Sequence, residues 1–379
     1  MTGDVTGDMT HEIKHGMKFQ DEFRDKSLVQ NMAANIRRMA EKLSSSVNFM
    51  EVCGTHTMSI YQYGIRSLLP ENVRLVSGPG CPVCVTPIGY VDKAIACTAD
   101  PNTIVATFGD MLRVPGSHAS LMEQRAGGAD IRIVYSPLDA VAVAKSNPER
   151  RVVFLGVGFE TTAPTIAVSI LEAARLGLKN YCVLASHKTM PVPMDILSGD
   201  PELNLNGYLC PAHVSTVIGG NAYRPLAEKY RIPCVVTGFE PADVMQGIEM
   251  LLAQTLHGES TVEIQYSRAV SWEGNPKAQA ILRQIFAPCD AVWRGLGVLP
   301  GSGLAIRAEF AEFDAEQVLP LDVPEAVENR ACLCGEVLKG KLAPFNCPLF
   351  ATACTPESPV GACMVSSEGT CAAAYKYGR

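Results

Sequence analysis

The chain has 379 residues, 47% of them apolar and 19% charged, and a formal net charge of −7. This length suffices for more than one domain with a full core. The acidic balance argues against a nucleic-acid partner, and no run of about 18 apolar residues offers a membrane span.

The N-terminal stretch "MTGDVTGDMTHEIKHGM" is polar with no apolar run behind it, so it is no signal peptide. We read residues 1–17 as a disordered leader and place the chain in the cytoplasm. There, the 14 cysteines point to metal or redox chemistry rather than to structural disulfides.

Residues 18–47 follow. Phe19, Phe23, Val29, Met32, Ile36, Met39 and Leu43 are spaced largely by three and four, which predicts an amphipathic helix. We expect it to pack on the C-terminal domain. Eight short apolar runs come next: "VNFMEV", "VRLVSG", "TIVATF", "IRIVY", "RVVFLGVGF", "YCVLAS", "GYLC" and "PCVVTGF". Runs of this kind, rich in Val and Ile and alternating with helices, indicate parallel strands covered on both faces. The first four and the last four look like copies, since "MEVCGTHT" parallels "GVGFETTAP" and "VPGSHASLM" parallels "CPAHVSTVI". The reading is α/β, with two similar parallel-sheet domains at 48–148 and 149–258. A third, Cys-rich domain is placed at 259–379, an iron–sulfur domain by the resemblance given below. It begins with a strand, a helix and a hairpin-like Gly-rich stretch. It ends in a tail that holds too few periodic apolar residues for a core of its own and is plausibly stapled by metal.

In open α/β sheets, functional groups gather beyond the carboxyl ends of strands. Cys53, Thr55 and His56 follow the first strand, Cys81 and Cys84 the second, and Asp110 the third. Glu160 and Thr161, His187 and His213 follow later ones. If the two edges face each other, these groups line one cleft. In "CGTHT", a thiol and an imidazole stand three residues apart at a helix start, on one face. Both are ligands for iron or zinc, and a helix N-terminus favours a thiolate. An N-capping Thr with an incidental Cys and His is the bland alternative. "SGPGCPVCVTP" holds a Cys-x-x-Cys pair that fits a redox disulfide or half of a metal site. Glu160 orients donors in the cleft or only neutralises a helix N-terminus.

Six cysteines, Cys332, Cys334, Cys347, Cys354, Cys363 and Cys371, lie in the last 48 residues, as Cys-x-Cys followed by gaps of 12, 6, 8 and 7. Neither zinc knuckles nor a ferredoxin run is present. Soft thiolates still suit an iron–sulfur cluster or zinc. Cys97, Cys182, Cys210, Cys234 and Cys289 sit in or beside apolar runs and read as core residues.

"EVCGTHTMSIYQYGI", "SGPGCPVCVTP", "GVGFETTAPT" and "CPLFATACTPESPVGACMVSSEGTCAAAY" together resemble the HypD family of hydrogenase maturation factors, from about residue 18 to the end. That resemblance implies a scaffold on which the Fe(CN)2(CO) unit of [NiFe]-hydrogenase is assembled. It implies a small HypC-like partner, a HypE-like cyanide donor and, indirectly, the hydrogenase large subunit. It makes Cys53 the iron-binding thiolate, His56 a close helper or second ligand, and Cys81 and Cys84 a redox pair facing them. It gives a [4Fe-4S] cluster to Cys332, Cys347, Cys354 and Cys371, with Cys334 and Cys363 as a thiol–disulfide pair beside it. A stand-alone iron–sulfur disulfide reductase is the competing reading, so whether the chain is itself an enzyme stays open.

Overall fold

The computed structural model of the protein describes residues 21–378. The leader expected at 1–17 lies outside them. All eight expected strands form: β1 (Val47–Glu51), β2 (Val73–Ser77), β3 (Thr103–Thr107), β4 (Ile131–Ile133), β5 (Arg151–Gly158), β6 (Tyr181–Lys188), β7 (Gly207–Pro211) and β8 (Cys234–Thr237). A short β9 (Val262–Ile264) and a hairpin of β10 (Phe286–Trp293) and β11 (Gly297–Ile306) follow. The five residues of β3 and of β7 are buried throughout, as strands covered on both faces should be.

The strands build two sheets. The first is ordered β2-β1-β7-β8-β9 and the second β10-β11-β6-β5-β3-β4. All pairings in the first are parallel. In the second, β6, β5, β3 and β4 are parallel and the hairpin joins antiparallel at the β6 edge. The division therefore differs from segments 48–148 and 149–258, because each sheet takes two strands from each segment. The internal copy nevertheless persists: β1, β2, β7 and β8 of one sheet occupy the places of β5, β6, β3 and β4 of the other. Apolar runs specify burial but not partner, so the exchange of halves left no mark in periodicity.

Two further boundaries shift. Residues 262–306 extend the two sheets rather than opening a separate domain. The helix Lys26–Ala40 packs mainly on the helix Pro241–His257 rather than on the expected C-terminal domain, although Phe23 just before it meets Arg268 of that segment. Asp25 caps it by accepting the N–H of Leu28 at 2.8 Å, and Val29, Ala33, Ile36 and Ala40 form its buried stripe. Arg24 Nη2 donates to Glu240 Oε1 at 2.9 Å and Asn35 Nδ2 to Glu249 Oε1 at 2.9 Å, which fix the pairing. No helix among the described residues is long and apolar enough to cross a membrane.

The carboxyl ends of both sheets meet. Val52 after β1, Cys81 and Cys84 after β2, Phe159 after β5, Met190 after β6 and Ala212 after β7 belong to one apolar cluster. The cysteine tail closes over it, contributing Cys334, Cys354, Cys363, Met364 and Cys371.

Ile36 is fully buried between the first helix and Pro241–His257. Ile36→Ala should cost about 2–5 kcal/mol, read as a lowered urea midpoint with an unchanged m-value. A variant as stable as the parent would remove this packing from the fold.

Candidate functional site

Cys53 sits at the N-cap of the helix Gly54–Gln62, two residues beyond β1, and is 7% exposed. The register pairs Glu51 with Ser77, so the chain leaving β2 runs beside the chain leaving β1. The N–H of Gly54 donates to Gly80 O at 3.0 Å and that of Gly78 to Glu51 O at 2.8 Å. A side chain at Gly80 would fall inside the backbone of Cys53, 2.5 Å from its Cα. Only glycine permits this approach. It delivers Cys81 and Cys84, which form a disulfide with Cα atoms 5.2 Å apart, beside Cys53.

Burial, then the neighbouring Glu368 carboxylate, pushes the Cys53 thiol up to about 12, while the N–H groups of His56 and Thr55 pull the other way. The helix N-terminus thus fails to win the thiolate against desolvation. His56 is fully buried. Its Nε2 lies 2.9 Å from the carbonyls of both Thr237 and Gly238, so Nε2 carries the proton. Nδ1 is left as a bare lone pair, and burial holds the ring's pKa at about 4. Phe239 lies 5.0 Å from the His56 ring and 3.9 Å from that of His213. His213 thereby joins the site.

Behind Cys53, Glu51 is completely buried. It accepts the Thr57 hydroxyl at 2.6 Å and the Cys53 N–H at 3.3 Å. Arg66 Nη2 donates to Ser77 Oγ at 3.0 Å, and Ser77 in turn bonds Glu51. Burial raises this carboxyl to about 7. Glu368 closes the other side: it accepts the Thr55 hydroxyl at 2.8 Å, and a Cβ on Gly54 would meet its Cβ at 2.5 Å. Asp110, after β3, adds to its electrostatic load, and burial is the main cause of its raised pKa.

The six tail cysteines converge. The Cys363 thiol lies 3.0 Å from that of Cys371, and Cys334 acts on both Cys363 and Cys332. Cys354 and Cys347 act electrostatically on Cys371, and the N–H of Val360 donates to Cys354 Sγ at 3.3 Å. Arg294, 7% exposed with an unpartnered Nη1, acts on Cys332 and Cys334. Its N–H donates to Val85 O at 2.9 Å, tying it to the residue after Cys84. Soft, mostly buried thiols with a cation and an N–H at the sulfurs suit a thiolate-held cluster in chemistry. Among the described residues, no group of three or more His, Cys, Asp and Glu is placed to hold a metal ion.

The family described as "HypD: Hydrogenase formation hypA family" matches residues 27–378. The chain is 49% identical over 359 residues to the hydrogenase maturation factor HypD of Azotobacter vinelandii, covering 91% of this chain and 95% of that one. It is 47% identical to that of Rhizobium leguminosarum bv. viciae (93% and 94% covered) and 43% identical to that of Escherichia coli strain K12 (92% and 95%). The chain belongs to the HypD family.

In this HypD-family chain the structure gathers Cys53, His56, Cys81, Cys84 and the tail cysteines, but not every expected group. Glu160 is 3% exposed beyond β5. Its Oε1 accepts the N–H of Met190 at 2.9 Å, and Oε2 has no partner among the described residues. It lies in the seam between the sheets, near Tyr223. His187 does not line the Cys53 edge. Pairing with β11 extends β6 past its apolar run, keeping His187 in the strand opposite Leu304, against Phe286 at 4.9 Å. Glu51, Arg66, Glu368 and Arg294 are site residues that sequence reading passed over. Glu51 did leave a signal, a carboxylate inside an apolar strand. Glu368 left none, being 313 residues from Thr55.

Two predictions follow from the charges. Removing the carboxylate in Glu368→Gln should lower the Cys53 thiol and speed its alkylation, measured on the Cys53 peptide by mass spectrometry. An unchanged rate would mean that burial alone sets the thiol. Burial also holds Glu160 at about 7 when folded, against about 4.3 when unfolded. The folded chain binds the extra proton in that window, so the carboxylate's cost appears as pH rises through it. Relative to the parent, Glu160→Gln should gain about 1–3 kcal/mol between about pH 5 and about pH 8, compared by urea unfolding at both.

Proposed function

We propose that this chain is the cytoplasmic scaffold on which the Fe(CN)2(CO) unit of a [NiFe]-hydrogenase is assembled, with Cys53 as the thiolate that holds the iron. The observation that carries the reading is the Gly80–Cys53 contact, which sets a buried thiol beside a disulfide. The cargo iron is a cation, and it supplies what burial denies: it displaces the Cys53 proton and stabilises the thiolate. His56 keeps Nε2–H on two carbonyls and so offers Nδ1 as a lone pair for the iron or its ligands. A HypC-like partner would bring a second thiolate, a HypE-like protein the cyanide, and the product would pass on toward the hydrogenase large subunit.

Cys81–Cys84 is the electron store next to the iron. Reduction cleaves its S–S bond with two electrons and two protons, giving two thiols. A [4Fe-4S] cluster on Cys332, Cys347, Cys354 and Cys371 would supply electrons one at a time when bound. Cys334 and Cys363, in contact with each other, are the dithiol that couples single-electron to two-electron chemistry. Arg294 holds the two ends together, its backbone on Val85 and its guanidinium toward Cys332 and Cys334.

The test is infrared spectroscopy of the chain purified anaerobically with its HypC-like partner. Cyanide and carbonyl stretching bands should be present in the parent and lost in Cys53→Ala, with the visible absorption of the cluster retained in both. Bands that survive in Cys53→Ala would move the iron to Cys81 or Cys84. No bands in either, together with turnover of a small disulfide, would favour a stand-alone disulfide reductase.

A further inference from the structure

A cavity lies away from Cys53, between the helix Ile88–Ala96, the end of β6 and the β10–β11 hairpin, with Val323 and Glu325 among its lining. Its volume of about 790 Å³ falls in the range of small-molecule sites. Ile88 and Ala291 give it apolar walls, and Lys188, 2% exposed, lines it from β6. The neighbouring His187 turns to the other face of the strand, against Phe286.

Lys188 has no charged partner among the described residues. Its Nζ donates to Ser186 Oγ at 3.0 Å and stands 5.9 Å from the centre of the Trp293 ring. Burial pulls the ammonium down to about 8, opposed by the Cys289 thiol and by no carboxylate. A buried ammonium without a counter-ion is costly, and buried charges are ordinarily paired. Of the acids that line the cavity, Glu316 pairs with Lys93 at 2.7 Å, Asp314 accepts the N–H of Glu316 at 3.0 Å and Asp290 that of Gly301 at 2.9 Å. Glu325 and Glu328 are exposed. Together they make the surroundings negative, which opposes a multiply charged anion. One buried cation balances one negative charge.

We propose that this cavity is a binding site for a small organic monocarboxylate, its carboxylate on Lys188 and its short apolar body against Ile88 and Ala291. The site is independent of the iron chemistry proposed above and stands or falls without it.

Cys289 lines the same cavity and serves as the reporter. The full chain is titrated with sodium acetate and with sodium butyrate at constant ionic strength in chloride. Alkylation of Cys289 is followed by peptide mass spectrometry and the thermal midpoint in parallel. Both carboxylates should slow alkylation and raise the midpoint saturably, butyrate at lower concentration than acetate. Lys188→Met should weaken both at least about tenfold, the loss of one charge-assisted hydrogen bond. Ser186→Ala, which only releases Nζ, should weaken them less and guards against misfolding of the first variant. The proposal is overturned if neither carboxylate acts beyond chloride on the parent, if protection is unchanged in Lys188→Met, or if inorganic phosphate protects better than butyrate.

Discussion

The contact of Gly80 with the backbone of Cys53 is the constraint on which the rest of the site depends. Two loops leaving adjacent parallel strands ordinarily diverge as their side chains claim space. Here the hydrogen bond from Gly54 to Gly80 O fuses them, and Gly54 in turn lies flat under Glu368. Three distant pieces of sequence, at 53–56, 80–84 and 368, thereby share one small volume. The Pro and Gly of "SGPGCPVC" are the means of this approach, and they leave the disulfide no room to move away from the thiol.

The fold was legible to the degree that burial is local. Each of the eight strands was recognisable because a strand covered on both faces must be apolar along its length, as β3 and β7 are. Their pairing was not, because β1 meets β7 through contacts formed 158 residues apart, such as that of Asn48 with Asn206. The internal copy could be seen, whereas the exchange of half of each copy between the sheets could not. The same limit applies to the site. Cys53, His56, Cys81 and Cys84 announce themselves by residue type and spacing. Glu368 and Arg294 matter only through where the tail folds back, and nothing near them in sequence says so. His187 misled because an apolar run ends where β6 does not.

Electrostatically the site is held near neutrality by burial. Desolvation puts Cys53 at about 12, His56 at about 4 and Glu51 at about 7. At neutral pH the thiol and the imidazole are therefore uncharged, and only Glu51 is poised, with Arg66 reaching it through Ser77. Such an arrangement has little affinity for protons or small ions in passing, and a strong one for a soft cation that can replace the thiol proton. Neutral donors in a shielded pocket also suit iron carrying cyanide and carbon monoxide, since bulk water cannot compete for the metal.

In the function proposed above, burial makes the disulfide, and not Cys53, the redox partner. A thiolate is the attacking species in thiol–disulfide exchange, and a thiol at about 12 is almost entirely protonated at neutral pH. Cys53 does not attack Cys81–Cys84 while it carries its proton, although their loops touch. The structure thus keeps a buried thiol and an oxidised pair side by side without short-circuiting them. In the proposed function, iron in the proton's place commits the Cys53 sulfur to the metal, which again makes it unavailable to the disulfide. In that scheme electrons reach Cys81–Cys84 from the other side, where Val85 leads through Arg294 to Cys332 and Cys334.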